Sequence, residues 1–327
     1  MNEISANFLK RKKYVLISLF LLLAMINNSN AQQNVREWIL DRTAKFSPFS
    51  YALLQRYSRL PVKMEIRRGN STMSTSSTKN AFEFLELDTK QMALESMSTN
   101  IHEIGHMYGG LLHYEELMNC NCERSFTFGD IQQGFYQTPE TSFWISIEKK
   151  YIFPSLELAE SIPSNMITFR YKTYIKGTSS TQGEGVVGLL DEMNAYYLGS
   201  RFNYEMYPVY KELYPSDHLN KWVSQTMSIM TAFYEFDFFI KEYLLYAKKY
   251  HPQTYLYLKN NEAFKKAYQK IFDNFRSLKD LYEARVKKER SEYSLYYDTF
   301  FWKDDHSRLL DRLNSGIYQS IQFDFLN

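Results

Sequence analysis

Cysteine is nearly missing from this chain of 327 residues, which has only Cys120 and Cys122. A bridge between residues two apart is strained, so disulfides do not carry the fold, and a C-x-C pair with no further Cys or His nearby makes a poor metal site. Long apolar runs are also missing: one stretch, Tyr14 to Ile26, is strongly apolar, and no other is apolar enough to cross a membrane. Glycine is sparse, and the one Ser/Thr/Gly-rich segment, Gly177 to Gly185, lacks the Gly-Lys-Ser/Thr ending of a phosphate loop. That argues against nucleotide binding of the P-loop kind. There is no internal repeat, and no heptad run long enough for a coiled coil. With 44% apolar residues, the chain must stand on a hydrophobic core.

The apolar run follows Lys10-Arg11-Lys12-Lys13 and precedes Ser29-Asn30-Ala31, which is the layout of a secretory signal peptide. The expectation is cleavage near Ala31 and a secreted or periplasmic protein. No cysteine follows the run, so a lipid anchor attached there is not indicated. Removing residues 1–31 takes away Lys10, Arg11, Lys12, Lys13 and Glu3, and the +2 of the whole chain becomes −1. The basic balance therefore belongs to the leader, and nothing points to nucleic acid or to a membrane as a partner of the mature protein.

The most informative segment that is present is His102-Glu103-Ile104-Gly105-His106. On a helix, residues four apart lie one above the other, so two imidazoles can address one ion while the intervening carboxylate stands beside it. The surrounding sequence supports a helix. Leu94, Met97, Ile101, Ile104 and Tyr108 recur at spacings of three and four, while Glu95, Thr99, His102 and His106 form a second, polar stripe. Before it, Ala81 to Asp88 mostly alternates apolar and acidic residues and predicts a strand, with Asp88 capping the helix and Gln91 reaching back.

A catalytic zinc ordinarily takes three protein ligands. Two candidates for the third stand out. His113 nearly completes the metzincin pattern H-E-x-x-H-x-x-G-x-x-H, with Gly109 in place but Leu112 where the histidine should fall. The other is Glu192, on a second helix patterned by Val186, Leu190, Met193 and Tyr197. Gly188, Ala195 and Gly199 surround Glu192, and Ser98, Gly105 and Gly109 thin the first helix in the same way, which predicts a close helix–helix approach.

A H-E-x-x-H helix followed downstream by Glu192 in an E-x-x-A setting resembles the gluzincin branch of the zincin metallopeptidases. The likeness covers roughly residues 81–199, and its specific part is the two helices. It implies Zn2+ held by His102, His106 and Glu192, Glu103 as general base and then general acid, a tyrosine such as Tyr174 or Tyr196 donating to the oxyanion, and the strand Ala81 to Asp88 as an edge for an extended peptide or protein substrate. Two departures are visible: a longer interval between the motifs, and Tyr196 near where the family pattern places an acidic residue.

The remaining pattern predicts an α+β, predominantly helical protein. Residues 35–62 lean helical, Val62 to Ile66 reads as a strand, and Gly69 to Lys79 reads as an exposed loop. Pro139, Pro154 and Pro163 mark turns. From Arg201 on, Trp222, Met227, Met230, Phe233, Phe238 and Tyr243 mark buried helix faces. The expected organisation is a signal peptide over 1–31, a zincin-like core over 32–200 with a small sheet, and a helical lobe over 201–327. A rival of another class is a non-catalytic extracellular binding protein on the same scaffold.

Overall fold

The structure is a computed structural model that describes residues 31–68, 71–119, 129–138, 141–177, 180–289 and 304–326. The expected signal segment up to residue 30, Cys120, Cys122 and Pro139 lie outside the described residues. The protein is predominantly helical with two small antiparallel hairpins. In order, the elements are α1 (31–46), α2 (Pro48–Arg59), β1 (Lys63–Arg68), β2 (Ser71–Ser76), α3 (Lys90–Asn119), β3 (Ile131–Tyr136), β4 (Ser142–Ile147), α4 (Phe169–Tyr174) and α5 (Gly185–Glu205). There follow α6 (Tyr207–Leu213), α7 (His218–Thr226), α8 (Ser228–Tyr250), α9 (Pro252–Asn260), α10 (Glu262–Glu289), α11 (Asp304–Asn314) and α12 (Gln319–Phe325).

Two expectations about the first sheet are overturned. The segment 81–88 is turn and loop, not a strand, and the partner of β1 is β2, which lies inside the stretch read as a loop. The reason is local. The amide of Phe84 donates to Asn100 Oδ1 at 3.2 Å and that of Glu86 to Ser96 Oγ at 3.0 Å, so α3 side chains take hydrogen bonds that a strand partner would need. Ser and Thr on β2 have no apolar alternation, yet a short return strand needs only backbone pairing with β1. The helix cap also moves by one residue. Thr89 Oγ1 accepts from the Met92 amide at 3.1 Å, while Asp88 accepts from Gln32.

The apolar stripe of α3 is borne out, for Leu94, Met97, Ile101, Ile104 and Tyr108 are all fully buried. Each such side chain contributes about 1.5–3 kcal/mol by burial, so this one face outweighs the helix's poor N-terminal charge pattern. Helix α5 is different from expectation: rather than one buried stripe, it is enclosed almost all round, with Asp191, Glu192 and Asn194 buried alongside Val186, Leu190 and Met193. It packs against α3 on one side and against α8 and α10 on the other. Residue 200 lies within α5, and buried side chains from both sides of it belong to one continuous core.

The small residues do specify a close approach. A Cβ on Gly105 would stand 2.7 Å from Leu198 Cδ1, and one on Gly199 would stand 2.6 Å from the Ser98 carbonyl oxygen. Gly109 serves a different neighbour, since its Cβ would meet the Gly134 carbonyl of β3 at 2.7 Å, and Gly188 lies against Thr181 rather than α3. The β3–β4 hairpin thus seats on α3 through a glycine pair and brings Gln133 toward α5.

Candidate metal centre

The approach of α3 and α5 brings three ligand atoms together. His102 Nε2 and His106 Nε2 are 3.1 Å apart, and Glu192 Oε2 lies 3.7 Å from the first and 3.4 Å from the second. Among the described residues, His102, His106 and Glu192 form the group of His, Cys, Asp and Glu side chains that could hold a metal ion. Ligand atoms on a tetrahedral zinc with bonds of about 2.0–2.1 Å are spaced by about 3.4 Å, so the donor set has the right dimensions.

The outer contacts of these groups decide what they can do. His106 Nδ1 lies 2.6 Å from Asp191 Oδ2, and the other oxygen of Asp191 accepts from Gln133 Nε2 at 2.7 Å. Asp191 therefore engages the Nδ1 side of His106, which turns Nε2 toward Glu192. His102 hydrogen-bonds the backbone of Ala195, and with its Nε2 turned to His106 the nitrogen engaged there is Nδ1. Glu192 Oε1 accepts from Thr181 Oγ1 at 3.3 Å, while its buried Oε2 has no hydrogen-bond partner. Two imidazole nitrogens and a carboxylate oxygen therefore face one point. Such an arrangement is repulsive without a cation and favourable with one.

The electrostatics show the same tension. Burial, reinforced by His106 and Arg170, pushes the His102 pKa far below its ordinary value, so this ring stays neutral. At His106, burial pulls the pKa down but Asp191 and Glu192 outweigh it and lift it to about 11. Asp191 is itself pushed up by burial, against the pull of His106. The two shifts compete for one proton, and the Gln133 bond to Asp191 decides it in favour of the imidazole. Without a metal, the site neutralises itself by retaining a proton that a cation would displace.

Glu103 is half-buried, and burial first, then Glu192 and Asp191, raise its pKa against the opposing pull of His106. It lines a cavity of about 380 Å³ together with His102, Tyr174 and Tyr196. The Tyr174 and Tyr196 hydroxyls are 3.2 Å apart, and the Tyr196 ring meets the His102 ring edge-on at 4.7 Å. Burial, with Glu192 adding to it, pushes the Tyr174 pKa up, so its hydroxyl remains a donor. Behind them, Arg170 lies over the Tyr196 ring at 4.6 Å, and Glu235 on α8 accepts from the Arg170 side chain, from its amide and from Thr168. That anchor fixes the start of α4 and hence the position of Tyr174.

His113 is not part of the group. Helix α3 continues unbroken past Gly109 to Asn119, which carries His113 about 10 Å along the axis from His106. Its buried ring lies against Tyr114 and Trp144. The metzincin-like alternative needed a helix break that Gly109 does not make, because that glycine is used for packing on β3. Conversely, sequence reasoning missed Asp191, Gln133 and Thr181. Asp191 could have been found as the neighbour of Glu192, whereas nothing local marks Gln133 or Thr181. The chain matches no protein-family model, no curated protein and no solved structure. Among the described residues, no helix is long and apolar enough to cross a membrane.

Proposed function

We propose that this chain is an exported zinc-dependent metallopeptidase of the gluzincin type, released by cleavage near Ala31. The observation that carries the reading is the convergence of three ligand atoms, His102 Nε2, His106 Nε2 and Glu192 Oε2, while the other sides of these groups engage Ala195, Asp191 and Thr181. Neutral imidazole and carboxylate donors in this number suit Zn2+ and leave a coordination position free. Zinc held there would supply Lewis acidity toward water and a substrate carbonyl.

The protein's own groups then divide the remaining work. Glu103, half-buried and with a raised pKa, takes a proton from the attacking water and returns it to the departing amine. Tyr174 and Tyr196, facing the same cavity, supply hydroxyl donors for the oxygen that gains negative charge. Asp191 holds the His106 ring in the tautomer that a metal requires. With residues 81–88 in a loop, peptide pairing along that segment is not part of the mechanism.

Metal analysis and cleavage assays test the reading together. The purified protein should contain about one zinc per chain, with an anomalous signal at the zinc edge between α3 and α5. Glu103→Gln should retain that zinc and lose about a hundred- to ten-thousand-fold in peptide hydrolysis. Full activity in the variant would reject Glu103 as base. Bound zinc without hydrolysis of any peptide by the wild-type protein would favour a binding protein on the same scaffold.

A further inference from the structure

The recess beside His102 and Glu103 is built almost entirely from uncharged hydrogen-bonding groups. Thr99 of α3, Ser200 and Asn203 of α5, Ser224 and Gln225 of α7 and Ser228 of α8 line it. Its described lining holds no lysine, arginine or aspartate, so an incoming carboxylate would meet no counter-ion. An aliphatic side chain would meet hydroxyls and amides in place of an apolar floor.

One of these groups is incomplete without a ligand. Asn203 is 3% exposed, and its Nδ2 donates to the Gln225 carbonyl oxygen at 3.0 Å. Its Oδ1 is buried and has no hydrogen-bond partner. A buried carbonyl oxygen left unpaired is destabilising, and the same oxygen becomes a selective acceptor once an N–H or O–H is brought to it.

We propose that this recess is the specificity subsite for an uncharged hydrogen-bonding side chain, a carboxamide or a hydroxyl, on the substrate residue next to the scissile bond. Its place beside a scissile bond rests on the peptidase reading, while the recognition chemistry stands on the recess itself. A turn of the Asn203 side chain brings Oδ1 to the ligand's N–H or O–H, and serine and threonine hydroxyls around it can donate to the ligand's oxygen. A methionine in the same place would leave Asn203 Oδ1 unpaired, and a glutamate would bring a charge with no partner.

Peptides identical except for Gln, Ser, Met or Glu at each residue flanking a central peptide bond provide the test. Their binding to the zinc-loaded Glu103→Gln protein is measured by calorimetry, and their cleavage by the wild-type protein is measured in parallel. Gln and Ser peptides should bind at least about tenfold tighter than Met and Glu peptides. Asn203→Leu should erase most of that preference, and Ser200→Ala, a milder change should the first variant fold poorly, should reduce it about threefold. Equal affinities across the four peptides, or a preference that survives both substitutions, would overturn the subsite. A preference in binding with no cleavage by the wild-type protein would uphold the subsite and remove the peptidase reading instead.

Discussion

Two regions of this protein bury charge in opposite ways. Along α8, the buried side chains of Asp237, Lys241, Glu235 and Glu242 are each matched by an opposite partner from the chain itself. Lys241 Nζ meets Asp237 at 2.7 Å, Glu235 receives Arg170 and His306, and Glu242 receives Arg312. At the crossing of α3 and α5, His102, His106 and Glu192 converge on one point, with Glu192 Oε2 lacking a hydrogen bond. The first region is self-neutralised and serves as scaffold. The second, apart from the His106–Asp191 contact, gathers three ligand atoms that could hold a cation. Buried pairs of the first kind are costly to break and add little net stability, whereas a convergence of the second kind turns its unfavourable electrostatics into binding energy.

The contrast can be broken most visibly on the α8 side. Lys241→Met leaves the buried Asp237 with the Tyr268 hydroxyl at 3.4 Å and the weaker attraction of Arg276. The expected cost is about 3–5 kcal/mol in urea unfolding, and the double change Lys241→Met with Asp237→Leu should recover most of it. A single variant as stable as the wild type would show that the pair is not the neutralising unit described.

His113 offers a second handle, because it is a buried histidine that belongs to neither region. Burial lowers its pKa from 6.5 to about 4, so the folded protein keeps it neutral while the unfolded chain protonates it. The folded pKa is the lower one, so stability is present above about pH 6.5 and is lost as pH falls through about 4, by about 3 kcal/mol in total. His113→Phe, which keeps a ring against Tyr114 and Trp144, should flatten that part of the stability–pH curve. An unchanged acid limb in this variant would show that the ring is not held neutral by burial.

The smallest effect sharpens the α3–α5 side. Asp191→Asn keeps the size and one acceptor but removes the charge that holds the His106 tautomer, and it should weaken zinc affinity about ten- to a hundredfold. Competition with a chromophoric chelator reads this directly. An unchanged affinity would mean that Asp191 does not orient the ligand.

Much of this was legible before the structure. The stripes of α3 placed His102 and His106 on a polar face, and the small residues around Glu192 announced a close approach, because the 3.6-residue period and the absence of a Cβ are properties that a sequence displays directly. The edge strand was misread because alternation in Ala81 to Asp88 describes only which side chains are apolar. Whether its backbone pairs with a strand or with Ser96 and Asn100 depends on what lies beside it. The extent of burial around α5 was missed for a related reason: α8 and α10 cover the faces that its own residues would leave to solvent.

What the chain determined by itself was therefore local and periodic: the helix that carries the two histidines, the glycines that permit contact, and the choice of Glu192 over the many other acidic residues. Tertiary structure alone decided that Asp191, Gln133 and Thr181 engage the outer atoms of that group, that His113 stays outside it, and that Asn203, a residue of the cavity lining, keeps a buried oxygen without a hydrogen bond. Hydrogen bonds between residues 58 or 85 positions apart depend on where three elements meet, and no spacing along the chain encodes that meeting.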